Sequence, residues 1–291
     1  MNNDDPKLEK VLLGSHPKNI PPARIFGFLK WILLSTFLVI FLGPFLLVLS
    51  NSFRSIADFI INPLALPRSL DFSNYINAFT NMNFFPTFMT SLLITVCSVG
   101  LIILISAMAG YIFVRRRWNF VFYLMVASIF IPFQAIMIPL VSIYGGKLHV
   151  LNNLWTLIFM YMGFGTSLAV VIYHGFVKGI LLELEEAAVI DGCSKYQTFL
   201  RIVFPLLKPA TTTIIILHML WIWNDYLLPV LVLQSAEIKT LPMQVFSFFG
   251  SYSVQYTLLY AGLMMSMIPA LIVYLMLQKY IIKGIMQGAI K

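Results

Sequence analysis

Residues 183–209 read ELEEAAVIDGCSKYQTFLRIVFPLLKP, the longest charged and polar run after residue 24, with uncharged apolar blocks on both sides. Locally this is a short helix, a turn and a second helix. Leu181, Leu184 and Ala188 fall at i, i+3, i+7 and predict one apolar stripe, with Glu183 and Glu186 on another face. Gly192 is placed to end the first helix, because glycine takes a positive φ without a Cβ penalty. Ser194 and Gln197 have capping-box spacing for a second helix, whose stripe is Tyr196, Phe199, Leu200 and Val203. Between two membrane spans, such a hairpin lies on the membrane surface and offers a docking face.

The flanking blocks decide the class. Hydrophobic residues make up 60% of the 291, charged residues 10%, and the mean hydropathy is +0.90. Soluble domains are about 25% charged, so the chain reads as an integral membrane protein. Six blocks, roughly 29–50, 88–113, 119–142, 154–177, 209–233 and 258–280, have the length of about 20 apolar residues that a helical span needs. Barrel strands would be about 9–11 residues of alternating polarity, which these are not. Cys97 lies within a span and Cys193 in the hairpin turn, so both read as small packing residues rather than a disulfide framework.

The net charge of +8 is a matter of topology. With the N-terminus taken as cytosolic, fifteen lysines and arginines fall on the inside and four (Arg54, Arg68, Lys147 and Lys239) on the outside. That asymmetry puts both termini and the hairpin in the cytosol and removes any need for a nucleic-acid partner. Residues 1–24 show no apolar h-region with a cleavage site, so the first span is expected to serve as its own insertion signal. Pro44 bends that span. Gly145-Gly146-Lys147 is no phosphate loop, since Leu148 replaces the required Ser or Thr. His174, alone at the inner rim, reads as interfacial, and Gly163 and Gly165 as sites of close helix packing.

The order Glu186-Ala187-Ala188, Gly192, Ile202 and Pro205 resembles the EAA loop of binding-protein-dependent ABC importer permeases. Phe204 stands where leucine is usual before the proline, which keeps the position apolar. Glu185, the Asp191-Gly192 pair and Pro209 are similar to the carbohydrate-uptake, MalG-type branch, as is the ending from Lys283 to Lys291. The resemblance implies that Glu185, Glu186, Ala187, Ala188, Asp191, Gly192, Ile202 and Pro205 couple to an ATPase. It implies a short surface helix at Asp71–Tyr75 and a broken third span at Pro132 and Pro139 lining the pathway. It also implies that the loop after the fifth span meets a binding protein through Phe248, Phe249, Gly250, Ser251 and Tyr252. An amphipathic re-entrant segment fits that loop equally well.

Asp225 is the one acid at membrane depth, beside Trp221, Trp223 and Asn224. It either lines the pathway, with Trp221, Asn224 and more weakly His218, or caps a helix at the interface.

The expectation is an all-α integral membrane protein of six transmembrane helices, both termini cytosolic, with a cytosolic EAA coupling hairpin. Residues 1–28 form a cytosolic segment, 29–281 the permease domain with its coupling loop at 181–209, and 282–291 a cytosolic tail. The resemblance implies half of a sugar or oligosaccharide pathway working by alternating access. Its partners are a homologous permease, two ATPase subunits, which alone bind ATP and Mg, and a solute-binding protein. No nucleotide loop, metal cluster or nucleophile constellation is read, so the chain is taken as a transport subunit without cofactors of its own. The alternatives are an ion-coupled secondary transporter and an importer of another polar solute such as a glycerol phosphate.

Overall fold

The apolar blocks fold as helices, and the described residues contain no β-strand beyond one bridge between Phe249 and Val254. The computed structural model describes the backbone of residues 22–67, 69–235, 237–250 and 253–289, and side chains within residues 29–276 of those ranges. The N-terminal 21 residues, Ser251, Tyr252, Ile290 and Lys291 lie outside them.

The chain divides into residues 1–50 and 51–291. Helix α1, Pro22–Ser52, begins in the first unit and carries the 24-residue apolar stretch Leu29–Ser52, with Pro44 inside it. At about 1.5 Å per residue that stretch is long enough to cross a bilayer.

In the second unit, α2 (Ile56–Ile61) and α3 (Ser73–Asn81) precede α4 (Phe84–Arg115). The Arg54 guanidinium is buried among carbonyls, donating to the main-chain oxygens of Asp58, Asn62 and Ala65 and to the Asn51 side chain. Asn74 donates to the carbonyls of Ser52 and Arg54, which fixes the start of α3. Asp71 accepts from the Ser73 N–H at 2.8 Å, and that bond holds its carboxyl below the usual range. The surface helix expected at Asp71–Tyr75 is thus α3, begun two residues later.

The remaining elements are α5 (Asn119–Ile129), α6 (Phe133–Val141), the wide π-turn Ser142–Lys147 and α7 (Leu154–Lys178). After them come α8 (Leu182–Ile190), α9 (Lys195–Thr198), α10 (Lys208–Asn224), α11 (Leu227–Val232), α12 (Leu241–Phe246) and α13 (Tyr256–Ala289). Four helices, α1, α4, α7 and α13, are continuous and apolar enough to cross a membrane. Two further stretches qualify as bent pairs: 119–129 with 133–147 at 94°, and 195–206 with 208–224 at 72°. The backbone of α13 runs unbroken through residue 282 to Ala289, so the expected tail begins inside a helix.

The break in the third block follows from Pro132. Its ring disfavours the α conformation at Ile131, and Pro132 itself is extended at φ −66, ψ 135. The fifth block departs from expectation: its helix stops at Asn224 and does not run on to 233. Asp225 turns extended there, and its carboxylate accepts from the Leu227 N–H at 2.9 Å, an Asx turn that leads into the short α11.

Helices α4 and α7 form the main seam. Ser98, Ile102, Ser106 and Gly110 recur every four residues on α4, and Gly165, Ala169, Tyr173 and Val177 do so on α7. All eight are buried. Small residues let the backbones approach: a Cβ on Gly110 would stand 2.9 Å from the Tyr173 Cβ and 3.2 Å from the His174 nitrogen. His174 is itself buried, stacked on Phe122 at 3.8 Å. A second cluster gathers Trp223, Leu241, Val245, Phe248 and Leu259, tied together where the Trp223 indole donates to the Ser266 carbonyl. Phe248 therefore belongs to the core, because the amphipathic α12 turns its apolar side inward and carries Phe248 with it.

Candidate functional site

A cavity of about 920 Å³ opens where the third block breaks. The halves α5 and α6 diverge at Pro132, leaving a gap that α7, α10 and the start of α11 close from the other side. Its walls are apolar and aromatic: Phe133, Phe159, Phe164, Ile129 and Trp221 all face it. Ser128, Gln134, Tyr144, Ser167, His218 and Asp225 add polar atoms.

Several of those atoms are already committed. Ser128 and Ser167 share a 2.8 Å hydroxyl contact across the α5–α7 boundary. His218 is buried with its Nδ1 facing the Ile214 carbonyl at 3.0 Å and its Nε2 facing the Gly165 carbonyl at 2.9 Å. The glycine is required there, since a Cβ at 165 would meet the imidazole at 2.8 Å. Asp225 accepts from the Tyr161 hydroxyl at 2.9 Å through its second oxygen, and Tyr161 packs edge-on against Trp221 at 5.5 Å. Gln134 and Trp221, both exposed, keep their polar groups free of partners within the described residues.

Of the pathway residues expected from sequence, Trp221, Asp225 and His218 meet at this cavity. Asn224 does not line it: its side chain is exposed elsewhere and donates back to the Leu220 carbonyl. One Asp225 carboxylate oxygen accepts from the Leu227 N–H at the start of α11, and the residue also forms part of the cavity wall.

The hairpin forms a second feature. Gly192 has φ +87, and the bonds Gly192 N–H to Val189 and Cys193 N–H to Ala188 complete a Schellman closure of α8. The capping box is present in both directions: the Gln197 amide oxygen accepts from the Ser194 N–H, and the Ser194 hydroxyl accepts from the Gln197 N–H.

Each expected stripe is split between buried and exposed residues. Glu185 and Ala188 face inward on α8, while Leu181, Leu184 and Ile190 are exposed, Ile190 by 85%. The reason is an ion pair: Arg115 donates to Glu185 through two nitrogens at 2.8 and 2.6 Å, and the Tyr111 hydroxyl donates to the other oxygen at 2.7 Å. Arg115 also reaches the Ile180 carbonyl at 3.0 Å. In the second arm the wide turn Phe199–Val203 splits the stripe. Phe199 and Val203 go inward, and Tyr196 and Leu200 outward. Of the expected coupling residues, Glu186, Ala187, Asp191, Gly192 and Pro205 are exposed, Ile202 is half-buried, and Glu185 and Ala188 are inside.

Sequence reasoning missed Tyr111, Tyr161, Gln134 and Arg115 as site residues. Nothing local links Arg115 to a glutamate seventy positions on.

The family of proteins described as "Binding-protein-dependent transport system inner membrane component" matches residues 100–287. The chain belongs to that family. It is 41% identical over 256 residues, covering 87% of this chain and 93% of the relative, to the "Probable starch degradation products transport system permease protein AmyC" of Thermoanaerobacterium thermosulfurigenes. It is 34% identical to the "Multiple sugar-binding transport system permease protein MsmG" of Streptococcus mutans, over 92% of this chain and 98% of that one. Among solved structures, it superposes with a TM-score of 0.75 on a chain of a bacterial ABC transporter involved in the import of the acidic polysaccharide alginate. The sequence identity there is 25%, over 91% of this chain and 99% of that one. The chain is thus a multi-pass permease of the ABC importers, and the secondary-transporter alternative falls away.

Proposed function

We propose that this permease forms one half of the pathway of an ATP-driven importer for a sugar or oligosaccharide, opened by alternating access. The observation that carries the reading is the cavity at the broken third block. It combines aromatic faces for sugar C–H surfaces with a few convergent polar groups for hydroxyls. Relatives named for starch products and multiple sugars support this class over a glycerol phosphate. The other half of the pathway belongs to a second, homologous permease. Two ATPase subunits supply ATP hydrolysis, and a solute-binding protein delivers the substrate.

Six spans, with both termini and the hairpin cytosolic, are the topology that accommodates the bent pairs as single crossings. The hairpin then presents Glu186, Asp191 and the exposed Ile190 to an ATPase, with Glu185 working from behind to hold α8 on α4. Phe249 and Gly250 are exposed for the binding protein, while Phe248 anchors their loop.

The decisive experiment is uptake per assembled complex in proteoliposomes with the binding protein present. Asp225→Ala is expected to lower uptake per assembled complex several-fold, and unchanged uptake per complex sinks the pathway reading. Orientation has its own check. A cysteine at 250 should react with an impermeant reagent from outside, and one at 195 only after the membrane is opened.

A further inference from the structure

We infer that the cavity carries a charge filter, admitting neutral or amino sugars and rejecting acidic ones such as uronates. The inference rests on the pathway reading and narrows its substrate class.

Among the described residues that line the cavity, Asp225 is the sole carboxylate, and no lysine or arginine is present. Lys147, the nearest basic residue along the chain after α6, is not part of the wall. The remaining titratable groups that line it are His218 and Tyr144. His218 cannot serve an incoming carboxylate, because both ring nitrogens already face main-chain carbonyls, those of Ile214 and Gly165. Tyr144 offers a hydroxyl and no charge.

A uronate entering this space would surrender its hydration to mostly apolar walls and find no lysine or arginine side chain there to replace it. It would also meet the Asp225 carboxylate. At a separation of about 8 Å and an effective dielectric of about 20, that repulsion alone weakens binding on the order of thirty-fold. A neutral sugar meets neither cost. Its hydroxyls can donate to the exposed edge of Asp225 and accept from the free Gln134 amide and Trp221 indole, and its ring can stack on Trp221 or Phe133. An amino sugar would gain from the same carboxylate. The superposable chain belongs to a transporter that imports an acidic polysaccharide, so the shared fold does not fix this property. The side chains of the wall do.

The test uses the assembled importer, with its partner permease and ATPase, in nanodiscs. Binding is read by tryptophan fluorescence, with the same complex carrying Trp221→Phe as the baseline. The probes are the neutral trisaccharides maltotriose, raffinose and xylotriose, and the acidic trigalacturonate. The expected result is Trp221-dependent quenching by at least one neutral probe, with trigalacturonate at least ten-fold weaker. Two variants read the charge directly. Asp225→Asn should narrow the ratio between neutral and acidic probes. Gln134→Lys, at an exposed position without side-chain partners, should give trigalacturonate measurable binding even where Asp225→Asn fails to assemble. Equal binding of acidic and neutral probes by the unsubstituted complex overturns the filter alone. No Trp221-dependent signal from any probe overturns the pathway reading, and the filter with it.

Discussion

The hairpin and the cavity are built on opposite principles. The hairpin is closed by bonds between neighbours in sequence: a Schellman turn around Gly192 and a capping box between Ser194 and Gln197. The cavity exists because five helical segments from a hundred residues of chain fail to fill a space at one proline break. Local chemistry therefore shapes the hairpin, while its attachment and the whole of the cavity depend on distant partners. Mutations separate the two cleanly.

The largest effect should come from the one long-range bond that fastens the hairpin. Glu185→Ala leaves Arg115, whose side chain is only 20% exposed, without its carboxylate. We expect a loss on the order of 3 kcal/mol, at the low end for a broken buried pair because the guanidinium keeps some water. Thermal unfolding of the purified chain should show it, together with faster tryptic cleavage after Lys195. Replacing both partners by methionine should recover most of the loss. If Glu185→Ala is as stable and as protease-resistant as the parent, α8 is not held by this pair.

Next comes the seam that supports the cavity wall. Gly110→Val forces new atoms against Tyr173 and the main chain at His174. Overpacking of this kind costs about 2 kcal/mol. A lowered melting temperature with an unchanged proteolytic pattern at the hairpin would separate seam from hairpin, and a tolerated substitution would mean that α4 and α7 can part without cost.

Within the hairpin the effects should be smaller and local. Gly192→Ala meets no neighbour within 4 Å, so its whole penalty comes from φ +87. That is about 1–2 kcal/mol. Accelerated amide exchange at Cys193 should report it, and an unaltered exchange rate would deny the strain. Ser194→Ala removes the cap on the Gln197 N–H, worth about 1 kcal/mol. The same measurement at Gln197 checks this, with the α4–α7 seam undisturbed in both cases.

What the sequence determined by itself follows the range of the forces involved. Gly192 and the Ser194–Gln197 pair act within a few residues of their own position, so each could be read directly, and each appears where it was expected. A broken third span was implied by the resemblance at Pro132 and Pro139, and the break falls at Pro132, with Pro139 inside α6. Apolar length likewise fixed the membrane class, because lipid demands about 20 residues whatever the neighbours are. Facing was decided by tertiary structure. Periodicity placed Leu184 on one stripe with Ala188, but on α8 Leu184 is exposed and burial went to Glu185 and Ala188, since only Glu185 reaches Arg115 and Tyr111 and a membrane-facing protein has no general rule that apolar means inside. Phe248 was assigned to the loop that meets a binding protein and lies in the core for a related reason: α12 packs against α4 and α13, which its own six residues do not encode. The pairing of Asp225 with Tyr161 and the placing of His218 against Gly165 join residues 53–64 positions apart. No local signal specifies such contacts. They arise when α7 and α10 pack, and that packing holds Asp225 at the cavity wall.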